Sequence, residues 1–457
     1  MKWLQSFVLL SCFITSAVAV AQSRGSVATP DRFPEAGTSY PIAGELVMVD
    51  HVNRTGILRC DRLDTRNKYH QDLPLAFGML PYGTLYYHGA PATLSDISLG
   101  THMHGWFHLG PAGDFEVDLL ETDYAATVKN QPNDRSPDSP LSQALRLEDD
   151  FTFYQRQRSG WKIVSIDDNK KQLVAERVDL DVGAALTELT GYPTVKGLTG
   201  RQTFDYTEAT RVWQANQVAE LSDVAVGQVI LFNMTWATMY GPGRLTDIWL
   251  DADSRALATE RQFRSFEQQM FDRGFPGMVT KIDYLDQGAG IVDIEFYSGF
   301  EPRHHEFFPV NKSARLLVAE SNLRTHDAHN DGKHVQVTEW IDVSQAESQS
   351  EPQSQSKPAS QIKPQSQPKP EFQLTPESQL TPESQLTPES QLTPGGQVLP
   401  GSSGYGIRIR MPELLEGVRP GRTIRVQAGT WTRRGLPREE KIAPFNIRPQ
   451  RIVLPDR

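Results

Sequence analysis

A short pattern recurs three times in the chain and constrains its fold more than any other feature. Each copy has a leucine, a short polar turn, a glycine and then a run typical of a β-strand. The copies are LSDISLGTHMHGWF from Leu94, LSDVAVGQVILFNM from Leu221 and LEGVRPGRTIRVQ from Leu415. A glycine just before a strand is explained if the backbone there needs a positive φ angle or close packing. The repeat therefore predicts three related β units.

Each copy is preceded by a second shared pattern, which is a strand ending in aspartate, a polar turn and another strand. The three aspartates are Asp50, Asp167 and Asp283. Apolar and polar residues alternate in IVDIEFY and VQVTEW, as expected for β-strands. Small closed barrels are built from such strands and leave no exposed sheet edge. We therefore predict an all-β fold of three tandem OB-like β-barrels.

The order of these patterns predicts the domain organisation. Residues 22–130 form the first OB-like barrel and residues 140–250 the second. The third barrel is split into 275–345 and 403–430. A connecting helix is expected over 251–274, because acidic residues lie at its start and Arg273-Gly274 at its end, as the helix dipole and C-capping favour.

The segment 346–400, between the two halves of the third barrel, has a different composition. It is rich in Gln, Ser, Pro and Glu, and it carries QLTPES three times in tandem from Gln373. Such a composition buries too little apolar surface to offset the entropy of ordering, so we predict a disordered low-complexity repeat insert. A barrel tolerates this insert because closure entropy rises slowly with loop length.

The N-terminus indicates export. Lys2, a short apolar run and Ala19-Val20-Ala21 predict a signal peptide over 1–21. No later stretch is apolar enough to be transmembrane, so we expect the protein in the periplasm, the cell envelope or the extracellular space. LLSC at 9–12 leaves acylation of Cys12 as an alternative. After cleavage only Cys60 remains, which excludes an intramolecular disulfide and suggests a buried thiol.

The net charge of −10 is unevenly distributed. From residue 403 onward there are eleven Arg and one Lys against four Glu and one Asp, about +7, so the preceding part is about −17. The basic C-terminal tail, 431–457, is either solvated or contacts an acidic surface, within the molecule or on a partner. Nucleic acid is an unlikely partner because the body of the protein is acidic.

Two strand patterns carry a family resemblance. A G-x-V-x-x-I-D strand followed by L-x-D-V-x-V-G-Q-x-I-x-F resembles small exported bacterial OB-like barrels, including periplasmic copper-chaperone barrels and related uncharacterised exported proteins. The closest stretch is the second copy, 161–167 with 221–232. Members of that group bind copper through His, Met and Trp, an arrangement that the second and third copies lack. The resemblance therefore implies the barrel and not the copper site.

His102 and His104 in the first copy are the candidate metal ligands. Met103 aligns with Ile230 and Ile424, so it is expected to face the barrel interior and the two histidines to face outward. Two imidazoles at this spacing could bind Cu or Zn weakly if a third ligand were near. The alternative is a pair of surface or interface histidines without metal.

No cofactor and no catalytic motif is indicated by the sequence, which lacks G-x-S-x-G, a phosphate-binding glycine loop and H-E-x-x-H. The acidic run Glu148, Asp149 and Asp150 is expected to be a solvated surface. We therefore expect a non-catalytic binding or scaffold protein of the cell envelope, with an envelope polymer or a protein as partner. Metal binding through His102 and His104 is the alternative, and a hydrolase of envelope or extracellular polymer is the third possibility.

Overall fold

A computed structural model describes residues 27–61, 74–109, 142–180, 189–195, 197–237, 241–319, 323, 332–343, 398–429 and 450–451. The predicted signal peptide, nearly all of the predicted insert and most of the basic tail lie outside these residues. The helices are α1 (Asp150–Arg156) and α2 (Ala252–Arg273). The strands are β1 (Tyr40–Asp50), β2 (Thr55–Cys60), β3 (Pro74–Tyr87), β4 (Ala90–Ala92), β5 (His102–Leu109), β6 (Ser142–Asp149), β7 (Ser159–Asp167), β8 (Gln172–Asp179), β9 (Arg201–Asp205), β10 (Arg211–Gln214), β11 (Gln217–Ala219), β12 (Val229–Met234), β13 (Leu245–Trp249), β14 (Phe275–Tyr284), β15 (Gly290–Tyr297), β16 (Ser313–Val318), β17 (Lys333–Asp342), β18 (Ser402–Met411), β19 (Thr423–Ala428) and β20 (Gln450–Arg451). The predicted all-β fold class is confirmed.

Barrel 1 is a closed ring of five strands in the order β1-β2-β3-β6-β5. Strands β3 and β6 run parallel, and the other pairs of the ring are antiparallel, which is an OB-like arrangement. Its core contains Leu46, Phe77, Met103 and Leu147, all fully buried. In the basic tail, β20 pairs with Met48 and Val49 on β1, so this part of the tail contacts barrel 1 through its backbone.

The middle unit is a seven-stranded sheet in the order β11-β10-β13-β12-β7-β8-β9. It curls around one aromatic core, in which Phe204 lies 4.7 Å from Phe232 and 5.2 Å from Trp161 between ring centroids. Trp106 of β5 and Phe153 of α1 belong to the same core cluster. Barrel 1 and the middle unit are therefore packed together through shared apolar side chains.

Barrel 3 is a closed ring of six strands in the order β14-β15-β18-β17-β16-β19. All its pairs are antiparallel, so its strand order differs from that of barrel 1. Strands β17 and β18 are neighbours, and the chain between them includes the predicted insert. The insert therefore connects two adjacent strands of the barrel wall.

The three hairpins predicted from the sequence share one detailed geometry. In each, the first strand has a β-bulge immediately after Leu46, Ile163 or Val279. The carbonyl of that residue accepts a hydrogen bond of 2.8 Å from the backbone N–H of the glycine that all three copies of the repeat share. These glycines have φ angles of 89°, 93° and 79°, and they are Gly100, Gly227 and Gly421. Glycine is needed there because other residues are strained at such angles.

Helix α2 fills the space between barrel 1 and barrel 3. Asp251 caps its N-terminus by accepting a 2.7 Å hydrogen bond from the backbone N–H of Ser254, and Gly274 ends it with φ of 79°. Gln262 donates to the Pro91 carbonyl of β4 at 3.3 Å, while Phe266 belongs to the core of barrel 3. Neither helix in the described ranges is long and apolar enough to cross a membrane.

Candidate functional site: a buried histidine–aspartate cluster

The side chains of β5 alternate as the sequence predicts, but its outer face is not at the surface. Met103 lies in the core of barrel 1, and His102 and His104 point to the opposite face. Helix α1 and the middle unit cover that face, so His102 is only 1% exposed and His104 4%. The sequence leaves surface histidines and interface histidines as the alternatives without metal, and the structure shows His102 and His104 at an interface.

The acidic run at the end of β6 is fully buried, which corrects the expectation of a solvated surface. The reason is that β6 ends between barrel 1 and the middle unit. Asp149 caps α1 by accepting from the Thr152 N–H at 3.0 Å, and its other oxygen accepts from Asn233 of β12 at 2.9 Å. Burial raises the pKa of Asp149 to about 7. The cap fixes the start of α1 and places Asp150 beside the histidines.

Asp150 and Asp61 complete a cluster with His102 and His104, which we call the histidine–aspartate cluster. His102 Nδ1 lies 2.8 Å from Asp150 Oδ1, and its Nε2 lies 2.9 Å from Asp61 Oδ2. His104 Nε2 lies 3.0 Å from the same Asp150 Oδ1. The potential ligand atoms of His102, His104 and Asp150 all lie within 4.8 Å of one another.

One segment of the middle unit anchors both carboxylates. The backbone N–H of Met234, the last residue of β12, donates to Asp150 Oδ2 at 3.1 Å. The backbone N–H of Ala237 donates to Asp61 Oδ1 at 3.3 Å. Trp236, between them, donates its indole N–H to the Cys60 carbonyl at 2.8 Å. The cluster therefore lies at the junction of barrel 1, α1 and the middle unit.

The side chain of Cys60 is half-buried against the core of barrel 1, whereas the sequence predicts a buried thiol.

The two histidines have opposite charge preferences. Burial opposes a charge on His102, but Asp150 and Asp61 on its two nitrogens outweigh burial and raise its pKa well above the usual value. Burial lowers the pKa of His104, and the neighbouring His102 lowers it further. Burial also opposes ionisation of Asp150, yet His102 holds the pKa of this carboxyl below its usual value. Without a metal, the cluster is a charged His102 between two carboxylates, with His104 neutral.

One atom of the cluster is left without a partner. A neutral His104 donates its Nε2–H to Asp150, so its Nδ1 carries a lone pair. Among the described residues this buried Nδ1 has no hydrogen-bond partner. Buried polar atoms in proteins normally have such a partner, so the His104 Nδ1 lone pair is free to accept a further hydrogen bond.

The sequence singles out two of the four cluster residues. The acidic run predicts a solvated position for Asp150, and no sequence pattern points to Asp61. Two other histidines of this region, His88 and His108, lie outside the described cluster: the ring Nε2 of His88 is 4.0 Å from the Asp149 carboxylate, and His108 is buried further along β5. The pairing of β5 with β6 brings His104 opposite Glu148 and so carries Asp150 to the histidines.

Comparison of the chain with known protein families, with curated proteins and with solved structures finds no match. The function is therefore argued from the geometry of this cluster.

Proposed function

We propose that the protein is a non-catalytic binding protein that holds a divalent transition metal, Zn²⁺ in the first instance, at His102, His104 and Asp150. The observation that carries this proposal is the convergence of three buried potential ligand atoms within 4.8 Å. Imidazole nitrogen and carboxylate oxygen are donors that Zn²⁺ and Cu²⁺ accept.

The Asp61 carboxylate would contact the metal ligand His102 and not the ion itself. When His102 binds a metal through Nδ1, its Nε2–H donates to Asp61, and metal-bound histidines commonly make this second contact. The contact fixes the ring orientation and increases the basicity of the ligand nitrogen. The cluster thus supplies three ligands and one supporting carboxylate.

The burial of the site favours a structural or storage role over catalysis. All three ligands are buried, whereas catalytic zinc sites keep a position open to substrate. A bound ion would join β5 to α1 at the contact between barrel 1 and the middle unit. The expected consequence is a more stable junction between these two units.

The proposal also places the protein outside the cytoplasm, on the basis of the sequence at 1–21. N-terminal sequencing of protein purified from the expressing cells tests this part. A mature chain that begins near Gln22 supports export, and retention of Met1 contradicts it.

Calorimetric titration of the mature chain with Zn²⁺ and, separately, Cu²⁺ tests the metal site. We expect one ion per chain at micromolar affinity or better, lost in the variant His102→Ala/His104→Ala. The matched control is His334→Ala, which removes an exposed histidine of β17 and should leave binding unchanged. Absence of binding, or equal binding by the double variant, contradicts the proposal and identifies the cluster as a hydrogen-bonded ion network.

Asp61→Asn keeps the size of the side chain and all three ligands, so it separates loss of fold from loss of metal. We expect a well-folded variant with about 10- to 100-fold weaker metal binding, the usual effect of removing an outer-shell partner. Unchanged affinity in a folded Asp61→Asn protein would contradict the role given to Asp61.

A further inference from the structure

A second candidate site lies between barrel 1, α2 and barrel 3, and it shares no lining residue with the histidine–aspartate cluster. It is a cavity of about 460 Å³. Three arginines line it, and each comes from a different element: Arg54 from the turn between β1 and β2, Arg273 from the end of α2, and Arg425 from β19. We call it the arginine cavity.

Arg54 is held by backbone carbonyl groups. Its Nη1 donates to the carbonyls of Leu80 and Pro81 at 3.1 and 3.3 Å, and its Nη2 donates to the Gly83 carbonyl at 2.8 Å. These contacts orient the guanidinium but bring no negative charge to it. Burial lowers the pKa of Arg54 to about 10.

Arg425 is in the same situation and is only 4% exposed. Its Nη1 donates to the Gly274 carbonyl at 2.6 Å and its Nε to the Leu323 carbonyl at 3.3 Å. Burial, and then the nearby charges of Arg273 and Arg54, lower its pKa to about 9. Within the described ranges, neither Arg425 nor Arg54 forms an ion pair with a carboxylate.

The acidic residue that lines the cavity does not compensate these two charges. Asp272 is exposed, and its attraction acts on its neighbour Arg273. Buried charges in proteins are normally paired, because an unpaired one is costly to remove from water. In the described structure, the guanidinium groups of the half-buried Arg54 and the buried Arg425 donate hydrogen bonds only to carbonyl oxygens. Their uncompensated charges therefore indicate a site for an anion.

A large part of the remaining wall is apolar. Phe266 and Met270 of α2 face the cavity together with Phe275, Tyr297 and Phe300 of barrel 3. All five side chains are largely buried in the described structure. A bare inorganic anion would leave this apolar surface without contacts, whereas a molecule with an apolar body would cover it.

We propose that the arginine cavity binds a small amphipathic anion, with a carboxylate or phosphate head group at Arg54 and Arg425 and an apolar body against the aromatic wall. Guanidinium groups match both head groups in geometry and charge. The cavity volume lies in the usual range of small-molecule sites. This site is independent of the proposed metal site.

Calorimetric titration of the full mature chain with decanoate and with decyl phosphate tests the proposal and distinguishes the two head groups. Decanol and decyltrimethylammonium are the matched probes without negative charge. We expect one molecule of at least one anion per chain, with affinity at least about tenfold higher than for either control probe. Equal binding of decanol, or no binding of either anion, overturns the proposal.

Two variants locate the site. Arg425→Met should weaken anion binding by at least about tenfold, and Arg410→Met, at an exposed arginine of barrel 3, should not. Arg425 also donates a hydrogen bond to the Gly274 carbonyl, so its replacement can affect the fold as well as the site. Ser95→Trp is therefore a second test, because it keeps all three arginines and places a large side chain in the cavity from the side of barrel 1. If folded Ser95→Trp protein binds the anion as tightly as wild type, the site lies elsewhere.

Discussion

His104 and Phe153 stack face to face, with ring centroids 3.7 Å apart and planes inclined by 9°. The contact joins β5 of barrel 1 to α1, and Phe153 continues into the core of the middle unit. It holds the imidazole plane in place while Asp150 accepts from its Nε2. The orientation of His104 thus depends on an apolar contact as well as on a hydrogen bond.

Replacing this aromatic ring should weaken the junction. For Phe153→Leu we expect the free energy of unfolding to fall by about 1–3 kcal/mol, because a buried ring and its stacking contact are lost. Urea denaturation followed by tryptophan fluorescence measures the change. Val218→Ala, at a 65% exposed position, is the control and should change stability by less than about 0.5 kcal/mol. Equal effects of the two variants would show that the stack does not support the junction.

The fully buried Glu148 binds two arginines. Its Oε1 accepts from Arg146 Nε at 2.6 Å and its Oε2 from Arg156 Nη2 at 2.7 Å. We expect Glu148→Gln to destabilise the protein by about 3–5 kcal/mol, since it leaves the buried Arg146 and the half-buried Arg156 without their carboxylate. Thermal unfolding provides the measurement. Glu176→Gln, in an exposed pair with Arg201, should cost at most about 1 kcal/mol. A similarly small loss for Glu148→Gln would argue against a buried triad.

A buried carboxyl of barrel 3 makes stability depend on pH. Burial raises the pKa of Glu295 from 4.5 to about 7, although the Ser402 hydroxyl donates to it. The folded state therefore keeps a proton that the unfolded state loses between these values, so stability falls as pH rises from about 4.5 to 7. Glu295→Gln should remove this loss. The difference in free energy of unfolding between the variant and wild type should therefore shift in favour of the variant by up to about 3 kcal/mol from pH 4 to pH 8.

The measurement for Glu295→Gln is urea unfolding at several pH values. The control is Glu413→Gln, at an exposed carboxyl of the same barrel. Parallel stability curves for Glu295→Gln and wild type would contradict the assignment of a raised pKa to Glu295.

The requirement for glycine in the repeat can be tested at Gly227, where an added side chain would not clash with neighbouring atoms. A Cβ atom added at Gly227 would meet no atom within 4 Å, so only the φ angle of 93° opposes a side chain. We expect Gly227→Ala to cost about 1–2 kcal/mol through backbone strain. Val226→Ala in the same exposed turn is the control, and both are measured by thermal unfolding. A neutral Gly227→Ala would show that the shared turn does not require glycine.

Limited proteolysis tests the position of the insert. The sequence predicts that cleavage occurs first within 346–400. The two fragments should stay associated, because β17 and β18 pair directly and Arg408 of β18 binds both Asp293 and Glu339. Size-exclusion chromatography after cleavage measures the association. Separation of the fragments without denaturant would contradict the six-stranded ring.

Local patterns in the sequence predict the hairpins, the glycine turns and α2, because strand alternation, φ requirements and caps depend on neighbouring residues. The same alternation predicts that the Met103 side chain points to the opposite face of β5 from His102 and His104. Asp150 and Asp61 could not be found in this way, because both reach His102 through contacts that are distant in sequence. Asp150 arrives through the pairing of β5 with β6, and Asp61 through the pairing of β1 with both β2 and β5. The burial of Glu148 has the same non-local cause.

The connection of β17 to β18 through residues 343–401 affects the order in which the chain can fold during synthesis. Strand β14 closes barrel 3 by pairing with β19, which emerges from the ribosome more than 130 residues later. Barrel 1 gains all five strands of its ring once β6 is complete. Barrel 3, and with it the arginine cavity that needs Arg425, is therefore assembled last. A chain that stops within the insert would retain the histidine–aspartate cluster and lack the anion site.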